Sequence, residues 1–330
     1  MKFSIIIPVY NRPNEMLELL DSLSQQDYKN FELVVIEDGS TIKSDEVCNK
    51  FNDNFEISYF YKKNEGPSIG RNFGADRSKG EYLIFTDSDC ILPSNFLSTI
   101  ADNITDDIQG YGGPDKSHPD FNDMQKAISY SMTSFLTTGG IRARNKNEQN
   151  YVLRSFNMTI LKEAFIKMGG FPTTRLHPGE DTIFGIDFLK AGYKTKIISE
   201  APVYHKRRNS IKSFYKQMFN FGKVRYLIAK LYPDTFKITF LFPTFFILFS
   251  IFAFIISPWS SIFLLFLGVY IISIFTDSSI KNKSILVGAL SVFTTLTQFL
   301  GYHIGFSKTI WKVEVKKQDE FNLGIIKTKS

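Results

Sequence analysis

The sequence predicts an α/β head, an open sheet covered by helices, followed by a membrane anchor of C-terminal hydrophobic helices. Three observations predict it. Short β-rich apolar runs alternate with helix-period stretches through residues 1–205, charged and hydrogen-bonding side chains gather where those runs stop, and residues 238–306 are dominated by Phe, Ile and Leu with almost no charge.

The runs FSIIIPVY (3–10), FELVVIED (31–38), ISYFYK (57–62) and EYLIFTD (81–87) are nearly continuous in apolar character, as strands covered on both faces are. Between the first two, Met16, Leu19, Leu20 and Leu23 keep the spacing of one helical face, and Pro13 suits a first turn. A β-α-β order with a short return implies a parallel, right-handed crossover. The opening apolar stretch is too short for a signal peptide and reads as a strand.

Two cysteines, Cys48 and Cys90, cannot form a disulfide framework. A formal charge of +6 points to an anionic partner such as a phosphorylated substrate or a phospholipid surface, while no arginine-rich run with interleaved aromatics marks a nucleic-acid face.

The anchor contains three hydrophobic segments, 238–257, 261–275 and 285–306, of which the first is long enough to span a bilayer despite Pro243 and the second is short. The threonines of the third segment, with Gln298 and His303, also suit a re-entrant or interfacial helix, so two to three spans are expected. Lys237, Lys281 and Lys283 place the head on the cytoplasmic side of the membrane. In 205–231, Phe214, Met218, Phe221 and Ile228 approximate one helical face among Lys212, Lys216, Lys223, Arg225 and Lys230, the pattern of a basic helix on an anionic bilayer. The expected division is a head over 1–205, a basic interfacial helix over 206–235, a membrane region over 236–308 and a basic tail over 309–330.

Polar residues collect at the carboxyl ends of the strands, where open α/β sheets bind ligands. The first strand runs into Tyr10, Asn11 and Arg12, the second into Asp38 and Gly39, and the fourth into Asp87, Ser88 and Asp89. In extended geometry Asp87 and Asp89 would lie roughly 6 to 7 Å apart on one side. That separation suits one carboxylate on a divalent ion and one on a neighbouring ligand, with substrate phosphates completing the ion's shell. Glycines in NEGPSIGRNFGADRSKG (64–80) permit close backbone approach, and Arg71 is a candidate phosphate partner.

SIIIPVYNRP, ELVVIEDGS, NEGPSIGRNFGADRSKGEYLIFTDSDC, NMTILKEAFIKMGGFP and Gly179-Glu180-Asp181 together resemble, in order, the motifs of the family 2 glycosyltransferases over roughly residues 3–225. The resemblance implies a GT-A fold, a mixed sheet with helices on both faces, and inverting transfer of a sugar from a nucleotide sugar, expected to be UDP-linked. It assigns Pro8, Tyr10 and Arg12 to the base and ribose, Asp38 to the base, and Arg71 to the nucleotide's surroundings. Asp87 and Ser88 match the ribose and diphosphate side of the Asp-x-Asp motif, and Asp89 matches the ligand of a manganese or magnesium ion. Asp181 matches the catalytic base, Glu180 helps shape the acceptor site, His205 falls near the diphosphate or metal, and Asn157 near the donor sugar or acceptor. Past Asp181 the pattern departs, with Ile183 and Asp187 where many relatives carry an acid and an arginine.

The chemistry is consistent on its own terms. A departing diphosphate needs a cation and Arg or His donors, and an acceptor hydroxyl needs a carboxylate to take its proton. The acceptor implied is a polyprenyl-linked or other membrane-linked glycan in surface polysaccharide assembly. Transfer onto polyprenyl phosphate itself, and a non-catalytic nucleotide-sugar-binding membrane protein, are the alternatives.

Overall fold

A computed structural model describes residues 1–118, 120–139, 150–173 and 178–318. Its elements in chain order are β1 (Phe3–Val9), α1 (Pro13–Ser24), β2 (Phe31–Asp38), α2 (Asp45–Asn49), β3 (Glu56–Lys62), α3 (Pro67–Arg77), β4 (Tyr82–Thr86), β5 (Cys90–Ile91) and α4 (Phe96–Asn103). Then come β6 (Gly110–Gly112), β7 (Asp115–Lys116), α5 (Asp123–Thr133), α6 (Phe135–Thr138), β8 (Asn157–Leu161), α7 (Lys162–Lys167), α8 (Glu180–Lys190), β9 (Thr195–Ile197) and β10 (Val203–His205). The remaining helices are α9 (Ile211–Leu231), α10 (Phe242–Ile256), α11 (Ile262–Asn282) and α12 (Ile285–Ile310).

Seven strands form one sheet in the order β3-β2-β1-β4-β8-β6-β9. The first four are mutually parallel, as the β-α-β reading requires, and β8 enters antiparallel between β4 and β6, which makes the sheet mixed. Strand residues alternate between two cores. Ile5, Ile7 and Ile84 pack with Leu19 and Leu23 of α1 and Phe96 and Ile100 of α4, while Ile6, Leu83 and Phe85 pack with Phe165 of α7 and Phe184 and Phe188 of α8. Burial on both faces explains the absence of polar alternation in these runs.

The glycines of 64–80 do permit close approach, but to the sheet. A Cβ at Gly74 would sit 2.6 Å from the Ile6 side chain, so α3 lies flat on β1 and β2.

A small second sheet, β5-β10-β7, stands beside the main one. Its register sets His205 opposite Cys90, and the Lys206 backbone N–H donates to the Asp89 carbonyl at 2.9 Å.

Among the described residues three helices are long and apolar enough to cross a membrane: Ile238–Ile256, Ile262–Asn282 and Ile285–Val315. The second runs two turns beyond the apolar segment because Asp277 bonds Tyr130 of α5 at 2.7 Å and Lys281 at 2.8 Å, so these polar residues continue the helix. The third segment's polar side chains face the head: Ser131 of α5 meets Thr294 at 2.6 Å and Thr295 at 3.1 Å. Beyond residue 308 the chain stays helical through a π-helical turn to Val315, with Glu314 bonded to Lys230 at 3.0 Å, and 319–330 lie outside the described residues.

The α9 face of Phe214, Met218 and Ile228 is buried in protein. Phe214 and Met218 pack on Ile128 and Met132 of α5, and Ile228 joins Val224, Leu227, Ile183 and Val313. Ile183 thus belongs to the contact between α8 and α9, and Asp187 accepts from Tyr232 at 2.8 Å. The departure from the family pattern after Asp181 is a packing surface.

Candidate active site

Two loops at the carboxyl edge of the sheet hold each other in place. Asn11, at φ 53°, accepts from the backbone of Thr41 and of Ile42, both at 2.9 Å, and so ties the end of β1 to the turn after β2. That tie orients Tyr10, half exposed, and Arg12 at the start of α1. Gly39 sits at φ 77°, and a Cβ there would lie 2.5 Å from the backbone nitrogen of Asn64, so this turn closes only on glycine. Asp38 accepts from Lys62 at 2.9 Å, Glu65 N at 3.0 Å and Gly66 N at 2.9 Å, pinning the approach to α3. A carboxylate has about four acceptor sites, so capacity for one more partner remains.

Asp87 and Asp89 do not follow extended geometry. The chain turns directly after β4, with Cys90 N donating to Asp87 O at 3.1 Å, and the two side chains take different partners. Asp, Ser and Asp all favour turns, and this local preference overrides continuation of the strand. Asp87 receives Arg71 Nη2 at 2.6 Å. Asp89 pairs with Arg12 and stands 3.2 Å from His205 Nε2. Burial opposes the charge on Asp89, but His205 and Arg12 outweigh it and hold the carboxyl below its usual range. Burial likewise disfavours the imidazolium of His205, and the Asp89 charge overcomes it, raising the histidine.

Arg71 is buried, and its terminal nitrogens go to Asp87 and, at 3.4 Å, to Glu180. The sequence suggested a phosphate partner, whereas this guanidinium is a strut between the Asp-x-Asp turn and the start of α8. Its burial opposes the charge, and Asp87 and Glu180 raise it.

Gly179, at φ 136°, caps α8, which places Glu180 and Asp181 in its first turn. Asp181 accepts from Thr182 N at 2.7 Å and from Ser155 N at 3.4 Å, and Arg154 Nη1 lies 3.9 Å away. Arg154 also bonds the Thr182 hydroxyl. Arg154 was not legible in the sequence, because its place beside Asp181 depends on the pairing of Thr86 with Asn157, a long-range register that no local pattern states. Asn157 is itself buried and donates to the Ala201 carbonyl at 2.9 Å, so it supports the wall behind the site.

Pro8, Tyr10, Arg12, Asp38, Arg71, Asp87, Ser88, Asp89, Glu180, Asp181 and His205 all line one cavity of about 2370 Å³. An oxygen of Asp89, Nε2 of His205 and the Cys90 sulfur lie close enough to share an ion. Cys90 does not suit a hard cation: its thiol is buried and pushed well above its usual range by burial and by the Asp89 and Asp87 charges. Asp89 and His205 do suit one, as an oxygen donor and, once a bound cation displaces the imidazolium proton, a nitrogen donor beside an open cavity.

A mixed sheet of this order, with an acidic turn at the carboxyl end of β4 and helix-borne carboxylates across the cavity, defines the GT-A class of nucleotide-sugar transferase folds. The chain belongs to glycosyl transferase family 2, whose model matches residues 4–169. Among curated relatives, an uncharacterized glycosyltransferase of Rickettsia bellii is 45% identical over 96 residues, covering 29% of this chain and 14% of the relative. Glycosyltransferase GlyA of Streptococcus pneumoniae is 39% identical over 106 residues, 32% of this chain and 15% of the relative. The poly(ribitol-phosphate) beta-N-acetylglucosaminyltransferase TarS of Staphylococcus aureus is 38% identical over 105 residues, 31% and 18%. The matched stretch therefore spans under a fifth of each of these relatives.

Solved structures share the fold. The mannosyltransferase PcManGT of Pyrobaculum calidifontis, in complex with GDP-Man and Mn2+, superposes with a TM-score of 0.59 at 15% identity, over 95% of this chain and 88% of that one. TarS 1–349 in complex with UDP-GlcNAc gives 0.53 at 19%, over 96% and 93%.

Proposed function

We propose that this protein is an inverting glycosyltransferase that moves a sugar from a nucleotide-diphospho-sugar, UDP-linked, to a hydroxyl of a membrane-linked glycan acceptor in surface polysaccharide assembly. The observation that carries this reading is the convergence on one cavity of the strand-end groups Arg12, Asp38, Asp87 and Asp89 with Asp181 of α8. The nucleotide-sugar ligands of the PcManGT and TarS structures support the choice of donor.

In this reading Pro8, Tyr10, Arg12 and Asp38 receive the nucleoside, and Asp87 and Ser88 its ribose and diphosphate side. Asp89 and His205 would hold a divalent cation, manganese or magnesium, which supplies positive charge to the departing diphosphate. Asp181 takes the proton of the acceptor hydroxyl as its oxygen bonds the anomeric carbon from the face opposite the diphosphate. The carbon–phosphate oxygen bond breaks, and the nucleoside diphosphate leaves with the electron pair. Glu180, tied to Arg71, keeps the first turn of α8 in place.

Residues 1–205 form the transferase head in this reading and 236–308 the membrane region, with 206–235 joining them at the cytoplasmic face and 309–330 following as a basic tail. Lys237, Lys281 and Lys283 support that orientation.

The test is to incubate the purified chain and manganese with a panel of UDP- and GDP-sugars and a lipid-linked glycan fraction. Asp181→Asn is expected to lower transfer by about 10²- to 10⁴-fold while donor binding is kept. Undiminished transfer by this variant would refute the assigned base, and an undiminished biological role without transfer would favour a nucleotide-sugar sensor.

A further inference from the structure

The cavity is larger than the donor needs. Sites for one small ligand occupy about 300–1,000 Å³, and this one, at about 2370 Å³, continues past Asp181 to the first turn of α10 and one side of α12. Its lining changes character along the way. The nucleotide end is acidic; beyond Asp181 come Arg208, Lys216 and Lys237, exposed cations that have no carboxylate partner among the described residues. Past these the wall is apolar, with Phe135 of α6 70% exposed and Phe245 of α10 56% exposed. Lys237 immediately precedes Ile238, the first residue of the hydrophobic helix, so cation and apolar wall meet where a bilayer surface would lie. Gln298 of α12 adds a buried side chain whose Oε1 has no hydrogen-bond partner and which lines the same space.

We infer that this second half of the cavity is a binding site for a polyprenyl phosphate or diphosphate. Its phosphate lies among Arg208, Lys216 and Lys237, and its chain leaves sideways between α6 and α10 into the membrane. Lysine and arginine lining an open cavity suit a phosphate, and the phenylalanine wall gains by covering a hydrocarbon chain. The site rests on the proposed function, which requires an acceptor whose sugar reaches Asp181 while its anchor stays in the bilayer. Continuity with the donor site places the two substrates end to end across Asp181.

The experiment uses the full chain in phosphatidylcholine nanodiscs, without donor, and a polyprenyl phosphate carrying a photoreactive group on the isoprene unit next to the phosphate. Labelling is expected on the segments containing Phe135 and Phe245, with tenfold or greater protection by unlabelled undecaprenyl phosphate and little by undecaprenol or phosphatidylglycerol. The paired substitution Arg208→Glu with Lys216→Glu should weaken capture at least tenfold while UDP binding with manganese changes less than twofold. Equal protection by undecaprenol would overturn the phosphate subsite, and equal protection by phosphatidylglycerol would reduce the labelling to annular lipid. Labelling confined to the outer face of α11 would remove the site altogether. These competitions need no variant, so misfolding of the paired substitution leaves the result intact. Loss of UDP-sugar binding by the unaltered chain would instead count against the proposed function, since lipid capture is read without a donor.

Discussion

Replacing Arg71 by methionine keeps most of the stem's volume and removes the charge that sits between Asp87 and Glu180. Breaking a buried ion pair by deleting one partner costs about 3–5 kcal/mol, because the partner's charge stays buried. The two carboxylates differ in exposure. The Asp87 side chain is 30% exposed and can recover water, whereas that of Glu180 is 5% exposed and cannot. Most of the penalty therefore falls on Glu180, and Arg71→Met should lose about 3 kcal/mol of stability. Adding Glu180→Gln removes the buried charge that Arg71 had balanced, so the double variant should regain at least about 1 kcal/mol of that loss. Urea unfolding of the detergent-solubilised chain, read by pulse proteolysis, gives all three stabilities. Additivity of the two substitutions to within about 0.5 kcal/mol would refute the strut.

Chelation of divalent ions should reduce transfer to below about a hundredth, restored by manganese in the parent but not in Asp89→Ala, as read by a metal titration of activity. At the contact of α9 with α12, a Cβ at Gly222 or Gly305 would collide with the Tyr302 or Phe219 carbonyl, so either glycine changed to alanine should cost about 1–3 kcal/mol in detergent melts. Gly268, with nothing near its missing Cβ, is the control and should lose nothing on the same change. Tyr130→Phe removes the bond to Asp277 and should cost about 1 kcal/mol by the same melts.

The strand-end cavity was legible because local signals carry it. Apolar runs covered on both faces, the helix spacing of Met16 to Leu23 and the polar residues after each strand all act within a few positions. The membrane end was less so. Phe214, Met218 and Ile228 with basic neighbours satisfy a lipid surface and a protein groove equally, and the choice was made by α5, α8 and Val313, whose contacts come from far along the chain. Thr294 and Thr295 read as reluctance to enter a membrane, while Ser131, some 160 residues earlier, is their partner. Asp87 and Asp89 were recognisable as a pair, but a turn rather than a strand carries them, so their partners followed from tertiary structure. Arg154 and the engagement of Arg71 by Glu180 depended on how β8 and α8 meet the sheet.

The close seating of α12 against α5 and α9 has a consequence for biosynthesis. A ribosome releases the chain from its amino end, and domains generally fold as units while later residues are still being made. Here the faces of α5 and α9 that meet Ser291, Thr294 and Phe306 have no cover until the last hydrophobic helix emerges. The head is thus completed only after translation has passed residue 205 by some 100 residues, as far as Phe306, and a chain stopped after Leu231 would carry these surfaces bare. Seating of the last hydrophobic helix and completion of the head are one event.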